Sequence, residues 1–223
     1  CTDTLVEELH EFSHHDRVGL VSLMDHTPGQ RQFRDTSKLR VYLMGKHGFD
    51  DAGVEAHFTR LKELQSLYLE KHRAAAVAYA KQVGAVLASH DDTTADDVST
   101  SGGEGVTIAE FPTTFEAATA CRAHDQFIVM GAPNIIRGGS HSGNVAAHDL
   151  ANDGLLDILS SDYVPAALLN AAVTLGISMK DMAAGIRKVT AVPADAAGFN
   201  DRGRIALEKR ADLVRFAVHD GLP

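Results

Sequence analysis

Ile158-Leu-Ser-Ser-Asp-Tyr-Val-Pro-Ala-Ala-Leu-Leu169 is the stretch on which the reading of the fold turns. Ile158 and Leu159 end an apolar run, and Ser160, Ser161 and Asp162 are polar where a buried strand should stop. Pro165 suits the first turn of a helix, where a missing N–H costs nothing. Residues 166–175 carry the helix, and Gly176 offers a stop. A carboxylate at the exit of a parallel strand, directly before a helix, stands where α/β barrels place catalytic groups. The same residue could simply cap the helix. The rest of the chain has to decide between the two.

Upstream, the pattern recurs. Residues 18–24 form a near-continuous apolar run, as expected for a strand covered on both faces, and exit into Asp25-His26-Thr-Pro-Gly-Gln-Arg31. Residues 84–88 exit into Ser89-His90-Asp91-Asp92, and residues 106–109 into Glu110-Phe111-Pro112. Residues 127–130 lead to Gly131-Ala-Pro-Asn134, and residues 155–159 are the fifth strand. Helical spacing fills the intervals. Residues 2–12 repeat apolar groups at Leu5, Val6, Leu9 and Phe12, and Val54, Phe58, Leu61 and Tyr68 share a face within residues 54–69. Residues 73–82, 145–152 and 178–188 also read as helices, the last with Ser178 as cap. Thr113 and Glu116 match a capping box for residues 113–123. Residues 38–51, broken by Gly45 and Gly48, read as a loop with short helical pieces. Residues 94–101 form a short helix closed by Gly102-Gly103. In the tail, residues 213–218 read as a strand. Five alternations of strand and helix predict a parallel sheet with helical crossovers. They fit either an open doubly wound sheet or an eight-stranded barrel short of three units.

Composition removes several functions. The 223 residues are enough for a proper core, and 44% hydrophobic with 23% charged residues is ordinary for a globular protein. A net charge of −9 argues against nucleic acid or an anionic membrane surface as partner. No apolar run approaches a membrane span. Two cysteines, Cys1 and Cys121, fit a reduced, cytoplasmic chain better than a disulfide framework. A start without Met and without a leader reads as a piece of something longer.

The chemistry concentrates at the strand exits, with Asp25, His26, His90, Glu110 and Asp162 as candidate metal ligands and Asp162 as candidate catalytic base. Imidazole with carboxylate suits zinc or manganese, and a carboxylate beside an activated water can take its proton. Each residue also has a plain structural reading. His26 could hydrogen-bond its own loop, Glu110 could be structural, and Asp91 and Asp92 read as caps of the next helix. A second signal is the segment from Asn134 through Arg137, Gly138, Gly139, Ser140 and His141 to Asn144. Its guanidinium, bare backbone N–H groups, hydroxyls and imidazole lead into a helix start, a combination suited to phosphate. It matches neither a dinucleotide fingerprint nor a P-loop, and a surface loop would look the same. Arg31 adds positive charge after the first strand.

Four segments taken together, residues 22–33, 88–93, 131–144 and 157–166, resemble the PhnM family, diphosphatases of the carbon–phosphorus lyase pathway within the amidohydrolase superfamily. The motifs occur in the family's order, and the likeness covers essentially the whole chain. The tail resembles the return of amidohydrolases to their small β-sandwich. The resemblance implies a (β/α)8 barrel of which residues 1–198 hold about strands four to eight, with residues 199–223 leading back to the small domain. It implies hydrolysis of alpha-D-ribose 1-methylphosphonate 5-triphosphate to the 5-phosphate and diphosphate, using one or two divalent metals, zinc or manganese. Asp162 would be metal ligand and proton acceptor, and His90 and Asp25-His26 would supply further ligands. Glu110 stands where the superfamily often has histidine. Because amidohydrolases draw ligands from the first barrel strand, the piece alone is expected to show little activity and to associate, as a homodimer. Two rivals stay open: hydrolysis of an amide, lactam or aminopurine C–N bond, and a catalytically incomplete form.

Overall fold

The computed structural model describes residues 3–12, 17–140 and 142–223. The chain divides into two compact units, residues 1–91 and 92–223.

In the first unit the order is α1 (Leu5–Glu11), β1 (Leu20–Leu23), α2 (Thr36–His47), α3 (Asp51–Val83) and β2 (Val86–His90). β1 and β2 are parallel, with Leu20 opposite Val86 and Leu23 opposite Ser89. Within residues 38–51, expected as a loop with short helical pieces, residues 38–47 belong to the full helix α2. The Asp35 carboxylate caps its start by accepting from the Ser37 N–H, and Gly48 ends it in the left-handed conformation at φ 69°. Gly45 lies inside the helix, while Gly48 supplies the stop. Residues 54–69 and 73–82 merge into α3, capped by Asp50 and closed by Gly84 at φ 71°. No Gly or Pro interrupts residues 54–83, so nothing divides the helix. Its Val54 and Phe58 pack on Leu39 and Leu43 of α2 in a small apolar cluster.

The second unit runs α4 (Ala95–Glu104), β3 (Ile108–Glu110), α5 (Phe115–Ala123), β4 (Phe127–Gly131), α6 (Ala132–Arg137), α7 (Ala147–Asn152), β5 (Ile158–Ser160), α8 (Ala167–Ser178), α9 (Met182–Arg187) and α10 (Ala191–Ala196). β3, β4 and β5 pair in parallel, in chain order. The core joins Ile128 and Met130 of β4 to Leu150, Leu156, Leu159, Ala171 and Leu175. Each large side chain there contributes about 1.5–3 kcal/mol by leaving water.

Local chemistry explains the departures. The capping box belongs to Thr94 and Asp97 at the start of α4, whereas α5 is capped by Thr114 and Glu116 accepts from the Ala95 N–H. α8 runs through Gly176 because that glycine gives clearance: a Cβ there would stand 2.9 Å from the Met182 Cα of α9. Asp181, not Ser178, caps α9. Residues 213–218, expected as a strand, join no ladder. Leu213 and Val214 are exposed, and an isolated strand has no hydrogen-bond partner to hold it. In that tail the described residues contain only an isolated bridge between His219 and Leu222. None of the described helices is long and apolar enough to cross a membrane.

Candidate functional site

In the first unit the exits of β1 and β2 bring three side chains together. His26 Nε2 lies 3.3 Å from Asp91 Oδ2, and His90 Nε2 lies 3.7 Å from the same oxygen. The two rings meet edge to face at 5.4 Å. One ligand atom from each residue falls within 4.8 Å of the others, a cluster that could hold a metal ion. Two atoms bound tetrahedrally to one zinc at about 2.0–2.1 Å stand roughly 3.3–3.4 Å apart. The two imidazole–carboxylate spacings, 3.3 and 3.7 Å, are close to that, and two imidazoles with one carboxylate form a borderline donor set suited to a divalent transition metal. Asp91 is buried while the His26 side chain is 42% exposed, so the cluster has a deep carboxylate and an accessible rim.

Asp91 was the residue sequence reading missed. It reads as a helix cap, but Thr94 fills that role. The one local signal was its place directly after a strand-end histidine. Its backbone is left-handed at φ 59°, a conformation that costs a non-glycine residue about 1–2 kcal/mol. Phe111 after β3 (φ 55°) and Asp162 after β5 (φ 50°) share it. Strain of this kind is retained where the surroundings impose it, often at functional sites.

Asp25, expected as a ligand, is placed otherwise. Oδ1 accepts the Thr27 N–H (3.0 Å) and the Thr27 hydroxyl (2.6 Å), and Oδ2 accepts the side-chain amides of Gln30 (2.6 Å) and Gln65 (2.5 Å). Burial alone would raise its pKa, but these hydrogen bonds outweigh it and hold the carboxyl below its ordinary range. Both oxygens are committed to the protein. Arg31 donates from Nη1 to the His90 carbonyl at 3.0 Å, which sets a cation beside the cluster.

Within the second unit, Glu110 ends β3 half-buried. Asp162 lies two residues beyond β5, its N–H donating to the Ser160 hydroxyl at 3.1 Å. Its carboxylate rests over Gly131: a Cβ at that glycine would be 2.8 Å from Asp162 Oδ2. Gly131 has an ordinary extended backbone (φ −72°, ψ 130°), so clearance, not conformation, is what the glycine provides here.

The expected phosphate loop is largely consumed by structure. Its first part is helix α6. The Gly138 and Gly139 N–H groups, expected to be bare, bond back to carbonyls of Ile135 and Asn134 and close that helix. Asn134 Oδ1 accepts the Ala147 N–H and caps α7 (2.9 Å), and Ser140 Oγ accepts the Ser142 N–H (3.1 Å). Arg137 Nη1 donates to the Tyr163 hydroxyl at 3.4 Å. Asn144 is half-buried on the segment before α7. His141 lies outside the described residues.

Fold and geometry thus define a class: an α/β chain of parallel strands with a candidate metal cluster at strand exits. No protein-family model matches the chain. The crystal structure of an uncharacterised protein superposes with a TM-score of 0.50 over 64% of this chain and 41% of that one, at 19% identity, a likeness of fold alone. Sequence comparison is more specific. Over 200 residues, 88% of this chain, it is 49% identical to alpha-D-ribose 1-methylphosphonate 5-triphosphate diphosphatase of Escherichia coli (strain K12). The resemblance carried by the four motifs therefore extends along the chain, which spans about half (53%) of that relative's length.

Proposed function

We propose that this chain is part of a metal-dependent diphosphatase that cleaves alpha-D-ribose 1-methylphosphonate 5-triphosphate to the 5-phosphate and diphosphate. The observation that carries the reading is the 49% identity over 88% of the chain to the protein of that name. The His26–His90–Asp91 cluster supports it from an independent direction, as the kind of site such a hydrolase needs. A zinc or manganese ion held there would supply Lewis acidity toward water and phosphate oxygen. Asp162 is assigned as the general base by the resemblance, and its exposed carboxylate lies beside Gly131. Arg31 and Arg137 are assigned to phosphate oxygens, as guanidinium forks suit them. The N–H groups of Gly138 and Gly139 are left out of that role because they close α6. A barrel carrying about strands four to eight, and a cytoplasmic setting, belong to the same proposal.

The test is release of diphosphate from the triphosphate substrate by the zinc- or manganese-loaded complete protein of which this chain is proposed to be part, compared with its H90A and D162N variants. Turnover lost in both variants is the expected result. Loaded protein that hydrolyses an amide or aminopurine but releases no diphosphate would replace this reading with the C–N hydrolase alternative.

A further inference from the structure

We infer that Asp25 is the positioning residue that sets His26, acting through a clamp that reaches to Gln65 on α3. The inference rests on the reading of His26 as a metal ligand. Asp25 and His26 are adjacent, and both look like ligands in sequence. The geometry divides their roles. Asp25 Oδ1 accepts the N–H of Thr27, two residues on, so the carboxylate closes a side-chain hydrogen-bonded ring that brackets His26. The Thr27 hydroxyl reinforces the closure at 2.6 Å. Oδ2 is gripped by two amides, Gln30 from the same loop and Gln65 from forty residues away. Asp25 and Thr27 are buried on either side of the more exposed His26. The imidazole therefore projects from a backbone pinned at both flanks, with the pin anchored in a long helix. Supporting groups of this kind typically change metal affinity by about 10–100-fold.

The clamp makes a distinctive demand. An Asn at position 25 still offers Oδ1 to Thr27, and its NH2 can be met by Gln30 and Gln65 once their amides flip to present oxygen. A carboxylate acting as ligand has no such substitute. Zinc affinity of the full chain, read by competition with a chromophoric chelator, is expected to fall about tenfold or more in D25A and in Q65M. In D25N it should stay within about threefold of the parent, because the clamp is rebuilt. Equal loss in D25N and D25A would overturn the clamp and return Asp25 to the ligands. So would an unchanged affinity in Q65M.

A second readout needs no metal. The His26 ring resonances of the zinc-free chain should broaden or move toward random-coil positions in D25A and Q65M, and stay in place in D25N. If the parent chain bound no zinc but these shifts appeared, the metal reading would fall and the clamp would stand. If zinc bound and neither affinity nor resonances responded to D25A or Q65M, the clamp would fall and the metal reading would stand.

Discussion

The two units treat their strand-end polar groups differently. In residues 1–91, His26, His90 and Asp91 face one another within metal-binding distance. In residues 92–223, most polar groups near the strand exits serve the fold: Asn134 caps α7, Gly138 and Gly139 close α6, and Ser140 holds Ser142. The difference teaches that a polar residue after a strand is informative only when its hydrogen bonds are not already demanded by the next helix. Short connections place such residues among unpaired N–H and C=O groups, which take them first. Asp162 stands apart in the second unit. Its carboxylate is seated over a glycine, and no helix cap accounts for it.

The largest way to break this contrast is D162N. If Asp162 is the exception in its unit, diphosphate release should fall by about 10²–10⁴-fold, the usual worth of a general base, with the thermal melt unchanged. G131A should follow in the same direction, by about tenfold, since an added methyl must displace the carboxylate. Normal turnover in D162N would put the whole second unit in the structural class.

The structural side is sharpened by R122M. Arg122 holds Asp157 through two hydrogen bonds at 2.7 and 2.9 Å, and also donates to the carbonyls of Gly154 and Leu155. Asp157 in turn accepts the Ile128 N–H of β4. Removing the guanidinium should cost about 1.5–3 kcal/mol, read by urea unfolding, with KM for the substrate unchanged. G138A forces a Cβ into the left-handed region at φ 75° and should cost about 1–2 kcal/mol. It should also leave KM alone. A raised KM would restore the glycine pair to phosphate binding.

The smallest effect concerns Cys121. Burial, with Asp92 adding to it, pushes its thiol up to about 12. A raised pKa means that the reactive thiolate is scarce at all pH values well below it. Iodoacetamide at pH 8 should leave the Cys121 peptide unmodified in native protein and alkylate it in urea.

Much of the fold was legible. The five described strands were found from apolar runs with polar exits: β2 to β5 are largely buried and leave a continuous signal, whereas β1, read from the same kind of run, leaves Leu20 exposed. α2 was not legible. Its stability comes from the Asp35 cap and from Leu39 and Leu43 packing on α3, not from its own glycine-broken pattern. In the site, His26 and His90 were singled out by residue type and place, and the structure sets them together. Asp91 was passed over since a carboxylate before a helix has a ready structural use. Asp25 shows the converse: nothing in its neighbours reveals Gln65, forty residues on, as a donor to its carboxylate.

The most direct measurement is zinc stoichiometry and affinity of the full chain by isothermal titration, set against H26A, H90A and D91N. The account expects one ion per chain in the parent. It expects affinity lower by about a hundredfold or more in each variant, beyond what a merely supporting residue costs. A parent chain that binds no zinc or manganese, or a combined H26A/H90A/D91N variant that binds as the parent does, would contradict it.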